Sequence, residues 1–73
     1  MKPYSVLLLY PDYLRATDWE SYYTHITADS TDAARMAAQQ EAAVKNFIDT
    51  PQDFVPLIVL SGHIEAEMTS WDL

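Results

Sequence analysis

The sequence predicts an α+β domain: a mostly antiparallel sheet of three or four strands, in spatial order 2-1-3, with one helix packed on one face. Three observations lead there. The opening run Tyr4-Ser5-Val6-Leu7-Leu8-Leu9-Tyr10 is too short for a buried helix and the right length for a strand. A second run of the same character extends from Phe54 to Leu60. Between them, the segment from Asp32 to about Ile48 is rich in Ala, Gln, Glu and Met, all strong helix formers.

The first strand sets the topology. Its side chains alternate between two faces, so Tyr4, Val6, Leu8 and Tyr10 share one and Leu7 and Leu9 share the other with Ser5. A strand apolar on both sides needs cover on both, which assigns it the centre of the sheet.

Pro11-Asp12 then opens a polar connection to about Asp18; Tyr13, Leu14 and Trp19 sit in or beside it, and its aromatic residues are expected to fold back on the sheet. From Trp19 to Ala28 the chain is rich in Tyr, Thr and Ile, which favour strands. Glu20, Tyr22, Thr24, Ile26 and Ala28 form one face. Trp19, Ser21, Tyr23, His25 and Thr27 form the other, and its wetness places this second strand at an edge.

Asp29-Ser30-Thr31-Asp32 supplies side chains that cap a helix, and its aspartates suit the positive helix pole. At 100° per residue, Ala33, Met36, Ala37, Gln40, Ala43, Val44, Phe47 and Ile48 fall on one stripe. Arg35, Ala38, Gln39, Ala42, Lys45 and Asn46 fall opposite. The first stripe is expected to pack on the sheet, its small alanines lying close and Phe47 and Ile48 filling a wider gap. Gln40, its one polar member, is expected to bond a backbone group at the rim.

Thr50-Pro51 ends the helix, because the residue before a proline is biased away from helical geometry. In the third strand Pro56 cannot donate to a ladder, so its bare side should face outward or lie at the strand start. Gly62 marks a bulge or a bend. His63-Ile64-Glu65-Ala66-Glu67-Met68 alternates as a continuation of the third strand or as a fourth, and residues 69–73 form a tail that carries Trp71. The whole is a single small domain, residues 1–73.

Bulk properties narrow the function. At 49% hydrophobic, the chain has the material for a core. It has no cysteine, so neither disulfides nor a thiolate zinc site are available, and small domains without such staples often gain stability by oligomerising. Eleven Asp and Glu against four Lys and Arg give a net charge of −7, which disfavours direct nucleic-acid binding and suits a basic partner or plain solubility. No apolar run approaches a membrane span, and none resembles a signal peptide. The expectation is therefore a cytoplasmic chain that starts at Met1 and has no membrane association.

The imbalance between two greasy strands and a single helix carries the functional reading. A dry second sheet face wants a partner, whether by stacking across a twofold axis or through a different protein. The chain is thus expected to be a non-enzymatic, homodimeric interaction module that regulates or inhibits a protein partner, with no cofactor. Leu7, Leu9, Trp19, Tyr23 and Trp71 are its interface candidates.

Two alternatives stand beside it. His63, Glu65 and Glu67 share a strand face and His25 lies on another strand, a set that a small-ligand or metal-dependent enzyme would use, the histidines and carboxylates serving as ligands or as an acid/base pair. The same alternation is what any half-exposed strand shows, and no catalytic or phosphate-binding motif supports the enzyme. The other alternative is a subunit whose task is assembly alone.

Overall fold

A computed structural model of the chain describes residues 1–14 and 20–63. Three strands and a helix follow in the order β1 (Lys2–Leu9), β2 (Ser21–Ala28), α1 (Thr31–Lys45) and β3 (Val55–Ser61), with short 3-10 turns at Asp12–Leu14 and Pro51–Asp53. The sheet runs β2-β1-β3, and β1 is antiparallel to both neighbours. The strand that is apolar on both faces does occupy the middle. The proposed fourth strand or extension, and the 69–73 tail, lie outside the described residues.

Register puts Tyr4 opposite Ile26, Val6 opposite Thr24 and Leu8 opposite Tyr22, so these six share the face beneath α1. On the β3 side Leu7 pairs with Ile58 and Leu8 with Pro56, which makes Leu57 an extra residue. A bulge beside a proline is physically sensible, since both interrupt a ladder at an outer strand. Gly62 is the bend that follows: its φ is +94°, and its N–H donates to the Pro3 carbonyl at 2.8 Å.

The core is thin and well filled. Tyr4, Val6 and Leu8 lie under Ala34, Ala38, Ala42 and Ala43, and Phe54 closes one end. Tyr10, Tyr22, Ile26, Ile48 and Val59 pack around it. Tyr13, expected to fold back on the sheet, is instead exposed and donates its hydroxyl to Asp53 at 2.6 Å.

The helix corrects the expected packing. Ala43 and Ile48 do face the core, but Ala33, Met36, Ala37, Gln40, Val44 and Phe47 point to solvent. The inward positions are Ala34, Ala38 and Ala42, four apart, with Gln39 beside them. The reason is volume. The sheet already fills the interlayer space with tyrosines, valine, leucine and isoleucine, so the crossing helix has room only for methyl groups. Turning the larger stripe inward would lift α1 off the sheet and open voids along it. The buried polar residue is accordingly Gln39, not Gln40, and its amide donates to the Phe54 carbonyl at 2.7 Å.

Both helix ends are specified by sequence. Ser30 is the N-cap, accepting from the Ala33 N–H at 3.1 Å. At the other end Ile48 N–H donates to the Ala43 carbonyl at 2.9 Å and Phe47 N–H to the Val44 carbonyl at 3.3 Å. That bond pair is a Schellman turn, whose left-handed position is usually glycine. Here it is Phe47, with φ +58°. An aromatic residue in that region costs about 1–2 kcal/mol. The helix therefore stops at Lys45, before the expected Ile48.

Candidate interaction surface

The sheet face turned away from α1 follows from alternation and register. Leu7 and Leu9 of β1 lie across from Ile58 and Val55 of β3, and Ser5 lies across from Leu60. Val55, Leu57 and Ile58 are 48%, 49% and 45% exposed, while Leu7, Leu9 and Leu60 are half-buried. Ser5, the polar member, is fully buried and spends its hydroxyl on the Gly62 carbonyl at 2.7 Å. The result is a run of aliphatic side chains with a satisfied polar group beneath it.

Toward β2 this face becomes aromatic. The Tyr23 ring meets His25 edge-on at 5.6 Å, and His25 stacks on His63 with ring centres 4.9 Å apart and planes 9° from parallel. His63 Nε2 lies 3.2 Å from the Ile26 carbonyl, so the chain leaving β3 reaches across β1 to β2. The two histidines singled out by sequence are thus neighbours. Imidazole lone pairs lie in the ring plane, and parallel stacked rings do not aim them at one point. Among the described residues no three metal-binding side chains converge. Glu65 and Glu67, the other members of that set, lie outside the described residues, as do Trp19 and Trp71.

Two polar clusters hold the scaffold behind this face. Tyr22 Oη donates to Glu41 Oε2 at 2.9 Å and Thr24 Oγ1 to the same oxygen at 2.5 Å, tying β2 to α1. Lys45 Nζ sits 5.9 Å from the centre of the Tyr22 ring. Burial pushes the Tyr22 phenol up to about 12, and the bond to Glu41 adds to the shift. The second cluster borders a cleft of about 260 Å³ at the end of the sheet, where Tyr13 and Thr50 both donate to Asp53 Oδ2, the latter at 2.7 Å. Those bonds, Tyr13's first, hold the Asp53 carboxyl below its ordinary range, and the same bond raises the Tyr13 phenol. A carboxylate held ionised by two donors is an anchor for the turn rather than a proton acceptor.

A second apolar surface lies on the far side of the molecule. Met36 and Val44, 59% and 64% exposed, lie on the outer side of α1, and Phe47, 97% exposed, follows in the turn just beyond its end. Beside them runs a groove of about 480 Å³ bordered by Gln40, Ala43, Val44, Phe47, Ile48, Asp49 and Pro51, so one carboxylate stands at its edge. Sequence found these side chains as a stripe but turned them inward. The signal for the true orientation is the Ala34-Ala38-Ala42 spacing opposite a tyrosine-rich sheet. The β3 contribution to the open face, Val55, Leu57, Ile58 and Leu60, was implicit in the two-faced apolar strand.

Compared with family models, characterised proteins and solved structures, the chain matches none significantly. Among the described residues no helix is long and apolar enough to cross a membrane.

Proposed function

We propose that the chain is a non-enzymatic protein-interaction module, homodimeric and cytoplasmic, that regulates or inhibits a protein partner through its open sheet face. The observation that carries this reading is the half-exposed aliphatic set Val55, Leu57 and Ile58 beside Leu7, Leu9 and Leu60. Contiguous apolar surface of this kind marks contact sites in soluble proteins. A rigid sheet presents it with little ordering cost, because β1 is fixed on both sides by its neighbours. The net charge of −7 favours a partner whose rim is basic and gives approach a long-range attraction.

The test is site-specific photo-crosslinking in cells that express the chain. A benzoylphenylalanine at Leu57 or Ile58 is expected to yield a discrete adduct with another protein, and one at the exposed Gln52 is not. Adducts that do not differ between these positions would remove the sheet face from the mechanism.

A further inference from the structure

We propose that the cleft at the end of the sheet receives an arginine side chain of the protein partner that sits on the open sheet face. This rests on the reading of that face as a partner surface and adds the chemistry that makes it selective.

The cleft and the face are continuous. The cleft is lined by Tyr10, Pro11, Asp12, Tyr13, Asp53 and Val55. Val55 is also the member of the open face that lies across from Leu9. A partner seated on Val55, Leu57 and Ile58 is therefore already at the rim of the cleft. Gln52, next to Asp53 in the chain, is exposed but is not among the lining residues.

Size restricts what can enter. At about 260 Å³ the cleft is smaller than the roughly 300–1,000 Å³ of sites that take drug-sized molecules. It suits one side chain. Its aromatic walls are held in advance by the fold. Tyr10 meets the Tyr22 ring edge-on at 6.3 Å and the Phe54 ring at 5.6 Å, and the Tyr13 hydroxyl donates to Asp53 at 2.6 Å. Neither ring has to be ordered by the ligand, so little affinity is lost to side-chain entropy.

Charge restricts it further. Tyr13 and Thr50 both donate to Asp53 Oδ2, and among the described residues nothing donates to Oδ1. Those two bonds keep the carboxyl ionised, below its ordinary range, so Oδ1 is a fixed anionic acceptor. Asp12 adds a second carboxylate to the wall, and no basic residue is among the described ones that line it. The occupant is therefore cationic, and guanidinium suits the walls better than ammonium. It is planar and weakly hydrated, stacks on tyrosine, and donates to a carboxylate from its edge. Arginine is also enriched among the few residues that dominate binding energy at interfaces.

NMR of the full chain tests this with N-acetyl-arginine amide, an arginine blocked at both ends, as the probe. Signals of Tyr13, Asp53 and Val55 should shift saturably, and the uncharged isostere N-acetyl-citrulline amide should bind about tenfold more weakly. Asp53→Asn keeps an acceptor for Tyr13 and Thr50, so the turn is retained, and it should weaken arginine binding about tenfold. Tyr13→Ala removes an exposed wall and should weaken it several-fold, with the core signals of Leu8 and Phe54 in place. Equal affinity for arginine and citrulline overturns the proposal, as does a drift of every carboxylate signal without saturation. Preference for free arginine over the blocked form also overturns it, because the cleft would then serve an amino acid and not a protein. So does binding that appears only in Arg15→Ala, which would put the chain's own guanidinium in the cleft. Photo-adducts at Leu57 without arginine binding sink this inference alone. Saturable arginine binding without photo-adducts sinks the sheet-face reading alone.

Discussion

The side-chain amide of Gln39 donates to the Phe54 carbonyl at 2.7 Å across the buried seam between α1 and the start of β3. Arg35 Nη1 meets the other end of the same amide, Oε1, at 2.8 Å. A polar group in a core of alanines is costly unless bonded at both ends, and this one is. Replacing it with leucine leaves the Phe54 carbonyl without its donor. Gln39→Leu is expected to lose about 1–3 kcal/mol in urea denaturation. Arg35→Ala, which removes a partly exposed bond, should lose less; equal losses would show that the amide's inner bond carries no special weight.

The alkaline limb of stability belongs to Tyr22. Its folded value of about 12 stands above the ordinary 10, through burial first and the Glu41 bond second. The folded state holds this proton more tightly than the unfolded state, so the contribution is whole below pH 10 and is lost as pH rises toward 12. Urea midpoints should be lower at about pH 11 than at about pH 9, with the Tyr22 phenol titrating late by NMR. Glu41→Gln should move that late titration back toward 10 without reaching it, because burial remains. A phenol that does not move in the variant would leave burial as the sole cause.

Much of this architecture was legible because it follows from alternation. Leu7 and Leu8 require opposite faces, and that demand alone centres β1 and makes β2 and β3 its outer neighbours. The Ser30 cap and the Pro51 stop are local signals of known strength. The face of α1 was not legible, because both of its sides are apolar and size points the wrong way. Met36, Val44 and Phe47 are the greasier set, yet Ala34, Ala38 and Ala42 fit the space that Tyr4, Val6, Leu8 and Tyr22 leave. That choice depends on the volume of a partner layer, which no helical periodicity encodes. The meeting of His25 and His63 is similarly a consequence of chain direction after Gly62. Sequence named both residues without placing them.

Asp53 governs the acid side of the turn before β3. Its carboxyl sits below the ordinary value of 3.8 because Tyr13 and Thr50 donate to it. A depressed folded value contributes stability above the unfolded value that is lost as pH falls through the folded one. Tyr13→Phe should raise the Asp53 titration toward 3.8 by NMR and leave the core signals of Leu8 and Phe54 in place. A carboxyl unmoved in that variant would assign the depression to Thr50 alone.

The N-cap should show a conventional cost. Ser30 Oγ accepts from Ala33 N–H, and Asp32 in the first turn supports the same end of α1. Ser30→Ala is expected to destabilise by about 1 kcal/mol, and Ser30→Asp to be near neutral. Because α1, with Phe54, covers the core face of the sheet among the described residues, the loss should appear in global unfolding rather than as local fraying. Amide exchange confined to the first turn would contradict that coupling.

Phe47 separates strain from burial in one pair of variants. Alanine removes the ring but keeps a Cβ in the left-handed conformation at φ +58°, whereas glycine removes both. With the ring almost wholly exposed, the single chain loses little packing in either case. Phe47→Gly should therefore exceed Phe47→Ala in stability by about 1 kcal/mol, after the extra freedom glycine gives the unfolded chain. For a domain of this size that difference is a Tm gap of roughly 4–8 °C. The measurement belongs at low concentration, where the chain is single. Equal Tm values would mean that the Schellman turn relaxes around any side chain, and Phe47 would then hold its place without strain.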